Sequence, residues 1–135
     1  MRELVQMLAP HLETNGRVAV VSIDTTARQL CPLTHRLHQV QGCVGNVGAD
    51  GDGKVADGLR LAMSTMVEGR HLWTGLAAVD IREVVMLVSP LASGRDCSEA
   101  QHASGQLSGQ GILVVAVDVG DNRHAARCMR RLTAR

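Results

Sequence analysis

Three runs of mostly apolar residues along the chain predict β-strands. They span residues 17–23, 83–89 and 111–117. The last two runs are almost continuously apolar, which is typical of strands buried on both faces of a parallel sheet. These runs therefore predict a mostly parallel sheet that is covered on both sides.

Apolar residues at helical spacing lie before, between and after these runs. Leu4, Leu8 and Leu12 repeat every four residues, and a longer pattern runs from Val55 to Met66, with Gly69 where that helix should end. Two further predicted helices carry Cys97, Ala100, Ser104 and Leu107, and Ala125, Cys128, Met129 and Leu132. Strands that alternate with helices predict one α/β domain over residues 1–135, built in three layers.

The composition is that of a globular domain with an unusual core. The chain has 135 residues, 45% apolar and 20% charged, with a formal net charge of +1. It contains no Phe, no Tyr and one Trp, so the core must be aliphatic and no aromatic platform is available to stack nucleic-acid bases. The small net charge attracts neither DNA nor an anionic membrane. We therefore expect neither nucleic acid nor a membrane among the partners.

The four cysteines bear on the compartment. Cys31, Cys43, Cys97 and Cys128 lie far apart in the sequence, with no C-x-x-C pair. This spacing favours free, buried thiols in a reducing compartment, with structural disulfides as the alternative. The amphipathic N-terminal segment also lacks the continuous apolar run of a signal peptide. These features predict an intracellular, cytoplasmic protein.

Three stretches carry motifs that occur together, in this order, in one family. Residues 18–34 (VAVVSIDTTARQLCPLT) are similar to its second strand, its S-x-T-A turn and a short antiparallel third strand. Residues 51–62 (GDGKVADGLRLA) are similar to its glycine loop and following helix, and residues 83–120 to its V-V-x-L-x-S-D-G strand, next helix and next strand. The chain thus resembles a von Willebrand factor type A (VWA) domain, which implies a doubly wound, Rossmann-like sheet. Residues 25–33 resemble plant members that accompany a RING zinc finger.

The resemblance implies a metal-ion-dependent adhesion site (MIDAS), which this sequence does not complete. Members that bind Mg²⁺ use a D-x-S-x-S after the first strand, a Thr in the glycine loop and an Asp after the fourth strand, oxygens that suit a hard cation. Gly53 occupies the Thr position and Pro90 the Asp position, and the chain starts at what would be the first helix. We therefore expect a degenerate MIDAS without metal or other cofactor, in a domain that is incomplete at its N-terminus, as either a fragment or a degenerate gene product.

The absent first strand would leave a gap, because in the family it is the central strand. The strands at residues 18–23 and 84–89 must then pair directly, accept another segment between them, or leave their edges exposed. Exposed apolar edges promote association of chains. We therefore expect either a re-paired sheet or a truncated chain that is poorly stable alone, and exposed sheet edges would allow self-association.

By resemblance, the function is non-enzymatic and metal-independent binding of another protein. Open α/β sheets bind ligands at the carboxyl ends of their strands. The loops expected there are residues 24–26, 50–54 and 89–96. Their candidate binding residues are Asp24, Thr25, Thr26, Asp50, Asp52, Lys54, Ser89 and Arg95.

The alternative function is that of a small phosphohydrolase with a P-loop. Residues 48–55 match G-x-x-x-x-G-K and precede a predicted helix, whose amides could hold a phosphate. Against this alternative, Val55 replaces the Ser or Thr that holds Mg²⁺, and Asp50 and Asp52 would place negative charge beside the phosphates. We therefore favour the protein-binding function.

Overall fold

The computed structural model describes residues 6, 10, 17–23, 25–46, 53–70, 83–88, 94–117, 127, 128 and 130–132. The elements in chain order are β1 (Val18–Ile23), β2 (Ala27–Thr34), α1 (Leu37–Gly45), α2 (Val55–Gly69), β3 (Val84–Val88), α3 (Gly94–Gly109) and β4 (Leu113–Val117). Residues 6 and 10 near the N-terminus and residues 127, 128 and 130–132 near the C-terminus are also helical. The predicted α/β fold class is confirmed.

The described strands form two separate pairs. β1 and β2 are antiparallel, with Val18 opposite Thr34 and Ile23 opposite Ala27. β3 and β4 are parallel, with Val84 beside Leu113. Among the described residues, β1 and β3 do not pair with each other. The re-paired sheet, one of the two arrangements expected from the sequence, is therefore not found in this part of the chain.

Helix α1 is an element that the sequence analysis did not predict. The carbonyl of Arg36 accepts hydrogen bonds from the amides of Gln39 and Val40, at 3.1 and 3.2 Å, which starts its first turn. Before it, the amide of Arg36 donates to Thr34 Oγ1 at 3.2 Å, which shapes the turn out of β2. Val40 is 1% exposed, so this short helix covers β1 and β2 through one apolar position.

Two disulfides replace the free thiols expected from the sequence. Cys31 of β2 is bonded to Cys43 of α1, with 5.9 Å between their Cα atoms. Cys97 of α3 is bonded to Cys128 of the C-terminal helical residues, with 5.8 Å between the Cα atoms. Both separations lie in the ordinary range for disulfides. The expectation of free thiols was wrong because pairing depends on which elements the fold brings together, and cysteine spacing does not contain that information.

Helix α2 runs antiparallel to β1 and to β3. Gly58, in its first half, lies against the side chain of Ile23 at the end of β1. Gly69, its last residue, lies against Leu33, near the end of β2 that pairs with the start of β1. Arg70, which follows α2, contacts Glu83, which precedes β3. The N-terminus of α2 therefore lies at the carboxyl ends of both strands.

Helices α2 and α3 pack side by side in the same direction and enclose one core. Lys54, before α2, contacts Glu99 in the second turn of α3, while Arg70, after α2, contacts Gln110, after α3. The core between these helices, β3, β4 and the C-terminal helical residues is aliphatic, as the composition predicts. Its buried members are Val55, Ala56, Leu59, Leu87, Ala100, Ala103, Leu107, Ile112, Val114, Cys128 and Leu132.

Candidate functional site at the carboxyl edge

The carboxyl ends of the parallel strands meet the N-termini of the two packed helices. β1, β3 and β4 all run towards this side of the molecule, because β1 and β3 are antiparallel to α2 and β4 is parallel to β3. We call it the carboxyl edge, and its described members include Thr25, Thr26, Gly53, Lys54, Arg95 and Glu99. Loops at such an edge are free to vary without disturbing the core, which is why α/β proteins bind ligands there.

Lys54 places an ammonium group at the carboxyl edge. Its backbone is extended and begins α2, and its carbonyl accepts hydrogen bonds from the amides of Asp57 and Gly58, at 3.1 and 3.4 Å. Its side chain is 56% exposed, with Nζ 3.5 Å from Oε2 of Glu99, whose side chain is 31% exposed. An ion pair with this exposure contributes little stability, so the ammonium can be shared with an incoming carboxylate.

Asp57 adds a second carboxylate near the N-terminus of α2. It lies in the first turn of α2, where a carboxylate favours the positive end of the helix dipole. Its Oδ1 also accepts a hydrogen bond from Arg60 Nη1 at 3.2 Å, in a pair that is half exposed. The described surface of the carboxyl edge is therefore mixed in charge and hydrophilic.

Half of the predicted binding residues can be located in the structure. Thr25 and Thr26 follow β1, Lys54 starts α2, and Arg95 lies in the first turn of α3, so all four are on the carboxyl edge. Asp24, Asp50, Asp52 and Ser89 lie outside the described residues. Glu99 was missed by the sequence analysis. Its position six residues into a helix that begins at the same edge is the signal that could have found it.

One position of the implied MIDAS, that of Gly53, lies among the described residues of the carboxyl edge. Gly53 has no side-chain oxygen, and neighbouring Val55 is 2% exposed and packs in the core. Within the described ranges, no three His, Cys, Asp or Glu side chains lie close enough to hold a metal ion. A hard cation needs several oxygen ligands at short range, and the side chain at position 53 supplies none.

The same residues also lack features of a phosphate-binding P-loop. The side chain at the Ser or Thr position, Val55, is apolar and buried, and the ammonium of Lys54 faces Glu99. Residues 48–52 of this loop lie outside the described part of the chain, whereas Gly53 is described. No contact in the described residues supports the phosphohydrolase alternative.

The opposite edge of the molecule holds the strongest polar contact. The guanidinium of Arg70 donates to the carboxylate of Glu83 from Nε at 3.1 and 3.2 Å and from Nη2 at 2.9 Å. Nη2 also donates to the carbonyl of Gln110 at 2.9 Å. The hydrogen bond to Glu83 raises the pKa of Arg70 above its ordinary value. This cluster joins the ends of three elements, which gives it a structural role.

Among the helices that the structure describes, none is both long enough and apolar enough to cross a membrane.

Comparison with known proteins gives matches to solved structures only. No family model and no curated protein matches the chain. The VWA domain of SpRpn10 is 12% identical, with a TM-score of 0.69, over 98% of this chain and 69% of that one. Proximal thread matrix protein 1 from the mussel byssus, solved with zinc in its MIDAS motif, is 18% identical, with a TM-score of 0.57, over 93% of this chain and 33% of that one.

A third match is BatB from Bacteroides thetaiotaomicron, 13% identical, with a TM-score of 0.55, over 88% of this chain and 56% of that one. Identities this low carry information about the fold and not about the activity. The agreement of these matches with the strand and helix order found here leads to one conclusion: the chain has a VWA-like α/β fold.

Proposed function

We propose that this chain is a protein-interaction module of VWA type that binds a polypeptide at its carboxyl edge without a metal ion. The observation that carries the proposal is the convergence of two helix N-termini and the parallel strand ends around Lys54 and Glu99. The finer architecture proposed with it is a doubly wound sheet in three layers. The binding surface comprises the residues named from the sequence, Asp24, Thr25, Thr26, Asp50, Asp52, Lys54, Ser89 and Arg95.

Within the mixed charges of the carboxyl edge, the ammonium of Lys54 offers a contact to a carboxylate of the partner. It is 56% exposed and lies 3.5 Å from Oε2 of Glu99. Binding would exchange one half-exposed ion pair for another, at little electrostatic cost. The proposal of metal independence rests on Gly53 and Val55, which offer no oxygen where a metal would need one.

Binding without catalysis is part of this proposal. The contact that supports it is the pairing of the Lys54 ammonium with the Glu99 carboxylate at the carboxyl edge. The cytoplasmic location predicted from the sequence stays a prediction, and the two disulfides favour an oxidising compartment instead.

Site-specific photo-crosslinking tests the proposed surface. A photoreactive side chain at position 54 should capture a partner polypeptide, and excess unlabelled chain should compete with the capture. The matched control is position 108, an exposed serine at the far end of α3. We expect capture at position 54 alone, unchanged by EDTA. Equal capture at both positions, or capture abolished by EDTA, contradicts the proposal.

A further inference from the structure

We propose that β1 and β3 accept between them one extended, mostly apolar strand from a partner polypeptide. This surface is distinct from the carboxyl edge and goes beyond the proposed function. It is formed by the edge of β1 that faces away from β2 and the edge of β3 that faces away from β4. We call it the strand-acceptor site.

Helix α2 holds the two edges side by side. It contacts β1, β2, β3 and α3, so both strand pairs lie beneath the same helix. Ile23 at the end of β1 packs against the same apolar cluster as Leu87 of β3, with Leu59 of α2 inside that cluster. Because β2 contributes no side chain to the cluster, β1 is the member of its pair that is nearer to β3. β1 and β3 run in the same direction and, among the described residues, are not hydrogen-bonded to each other.

The backbone hydrogen bonds of β3 show which of its amides and carbonyls do not point to β4. The carbonyl of Glu83 accepts a hydrogen bond from the amide of Leu113, so the backbone groups of this residue point to β4. Successive residues of a strand point their backbone groups to opposite sides. The amides and carbonyls of Val84, Met86 and Val88 therefore point away from β4. An extended strand beside β3 would form hydrogen bonds with these alternating amides and carbonyls. A helix would not, because its backbone groups bond to each other.

These edges lack the devices that normally protect an edge strand. β1 (VAVVSI) and β3 (VVMLV) contain no charge and no proline. By contrast β2 carries Arg28 and Pro32, and its pairing with β1 has two register irregularities. Charges, prolines and bulges are the usual means of blocking further pairing. β2 is thus built as an outer strand, whereas β1 and β3 have the sequences of inner strands.

A buried hydroxyl adds an independent observation. Ser22 of β1 is 1% exposed, and its Oγ has no hydrogen-bond partner. Since neighbouring Ile23 faces α2, the side chain of Ser22 faces the other side of the strand. A strand beside β1 would bring a side chain on that face within about 5 Å of Ser22, measured between Cβ atoms. The expected partner strand therefore carries one Ser or Thr among apolar residues.

The described strands of a second copy of this chain do not meet the requirement. A strand that enters between β1 and β3 needs both of its edges free. Each described strand already has one edge paired, β1 with β2 and β3 with β4. A separate extended segment of another protein has both edges free, and β-strand addition is an established way of binding such a segment.

Hydrogen exchange with a synthetic peptide tests this proposal on the full chain. The probe is a nonapeptide of valines with one central Thr between terminal lysines. The control peptide has the same sequence with alternate amides N-methylated, which removes the donors from one edge. We expect the probe to slow exchange at the amides of Val84 and Met86 by at least about tenfold, with slower exchange in β1 as well. The control peptide should leave the exchange rates unchanged.

A matched pair of proline variants locates the effect. Met86→Pro removes a donor from the strand-acceptor site, whereas Ala116→Pro removes one from the far edge of β4, because Leu113 donates to β3 and alternation directs Ala116 away from it. We expect Met86→Pro to abolish the protection and Ala116→Pro to retain it. If Met86→Pro does not fold, the test is the difference in protection between the probe and the N-methylated control peptide.

Three results would overturn the proposal. They are the same protection with both peptides, no protection with the probe, and protection of β1 and β3 by dimers of the chain without any peptide, detected by light scattering.

Discussion

Arg70 and Glu83 form a two-pronged contact that fastens the end of α2 to the start of β3. Nε and Nη2 of Arg70 reach the Glu83 carboxylate at 2.9 to 3.2 Å, and Nη2 also reaches the carbonyl of Gln110. The Glu83 side chain is 16% exposed, against 39% for Arg70. This contact lies at the edge opposite to the candidate site, at the end of α2 that is far from Lys54.

We expect Arg70→Met to lower the free energy of unfolding by about 1–2 kcal/mol. It leaves the half-buried Glu83 carboxylate without its partner, but the exposure of Arg70 screens part of the interaction. Arg60→Met is the matched control, since Arg60 pairs only with exposed Asp57 within α2. Its effect should stay within about 0.5 kcal/mol. Urea unfolding measures both variants, and equal losses would contradict a special role for Arg70.

Gly58 marks the closest approach of α2 to β1. A Cβ at this position would overlap the Cδ1 and Cγ1 atoms of Ile23. We expect Gly58→Ala to destabilise the chain by about 1–3 kcal/mol, despite the better helix propensity of Ala. Adding Ile23→Val should recover part of the loss, because it removes the terminal methyl. In Gly105→Ala the new methyl meets nothing within 4 Å, so thermal unfolding should show a gain. Destabilisation by both single variants would contradict this packing.

Two buried serines should respond in opposite ways to removal of the hydroxyl. Ser104 Oγ donates to the carbonyl of Leu132 at 2.6 Å, whereas Ser22 Oγ has no partner. We expect Ser104→Ala to cost about 1–2 kcal/mol, because it leaves a buried carbonyl unsatisfied. Ser22→Ala should leave stability unchanged or raise it. Chemical denaturation distinguishes the two, and a loss at Ser22 as large as at Ser104 would show that its hydroxyl has a partner.

The disulfides should contribute measurably to stability. They close loops of 12 and 31 residues by sequence separation. Loop-closure entropy then gives about 3 and about 4 kcal/mol respectively. We expect no free thiol by Ellman titration of the denatured, unreduced chain, and a lower Tm after reduction. Four free thiols and an unchanged Tm would contradict both bonds.

Much of the fold could be predicted because apolar pattern and secondary structure coincide. The predicted strands at residues 17–23, 83–89 and 111–117 agree with β1, β3 and β4 to within two residues. The helix predicted from Val55 ends at Gly69, as expected, and the helical pattern from Cys97 to Leu107 lies within α3. These elements are long or continuously apolar, so one signal determines each of them.

Helix α1 and the disulfides could not be predicted with the same means. Residues 37–45 have apolar side chains at Leu37, Val40, Cys43 and Val44, a helical spacing that Gly42 and Gly45 obscure. The bond between Cys31 and Cys43 requires α1 to pack on β2, and this is a tertiary contact. Sequence patterns describe local structure well and long-range contacts poorly.

The sequence predicted where the candidate site lies better than it predicted which charged residues pair there. Topology alone indicates the strand ends, and Lys54 lies there as expected. Its partner Glu99 was not predicted, because the pairing depends on the parallel packing of α2 and α3.

The most direct test of the account is the thermal unfolding of the purified chain in EDTA, in millimolar Mg²⁺ and in ATP with Mg²⁺. A ligand that binds the folded state raises the Tm by mass action. We expect three superimposable, cooperative unfolding transitions, because the side chains of Gly53 and Val55 supply no metal ligand and Lys54 is paired with Glu99. A higher Tm in Mg²⁺ would contradict the metal-independent site, and a higher Tm only with ATP would show that the chain binds nucleotide.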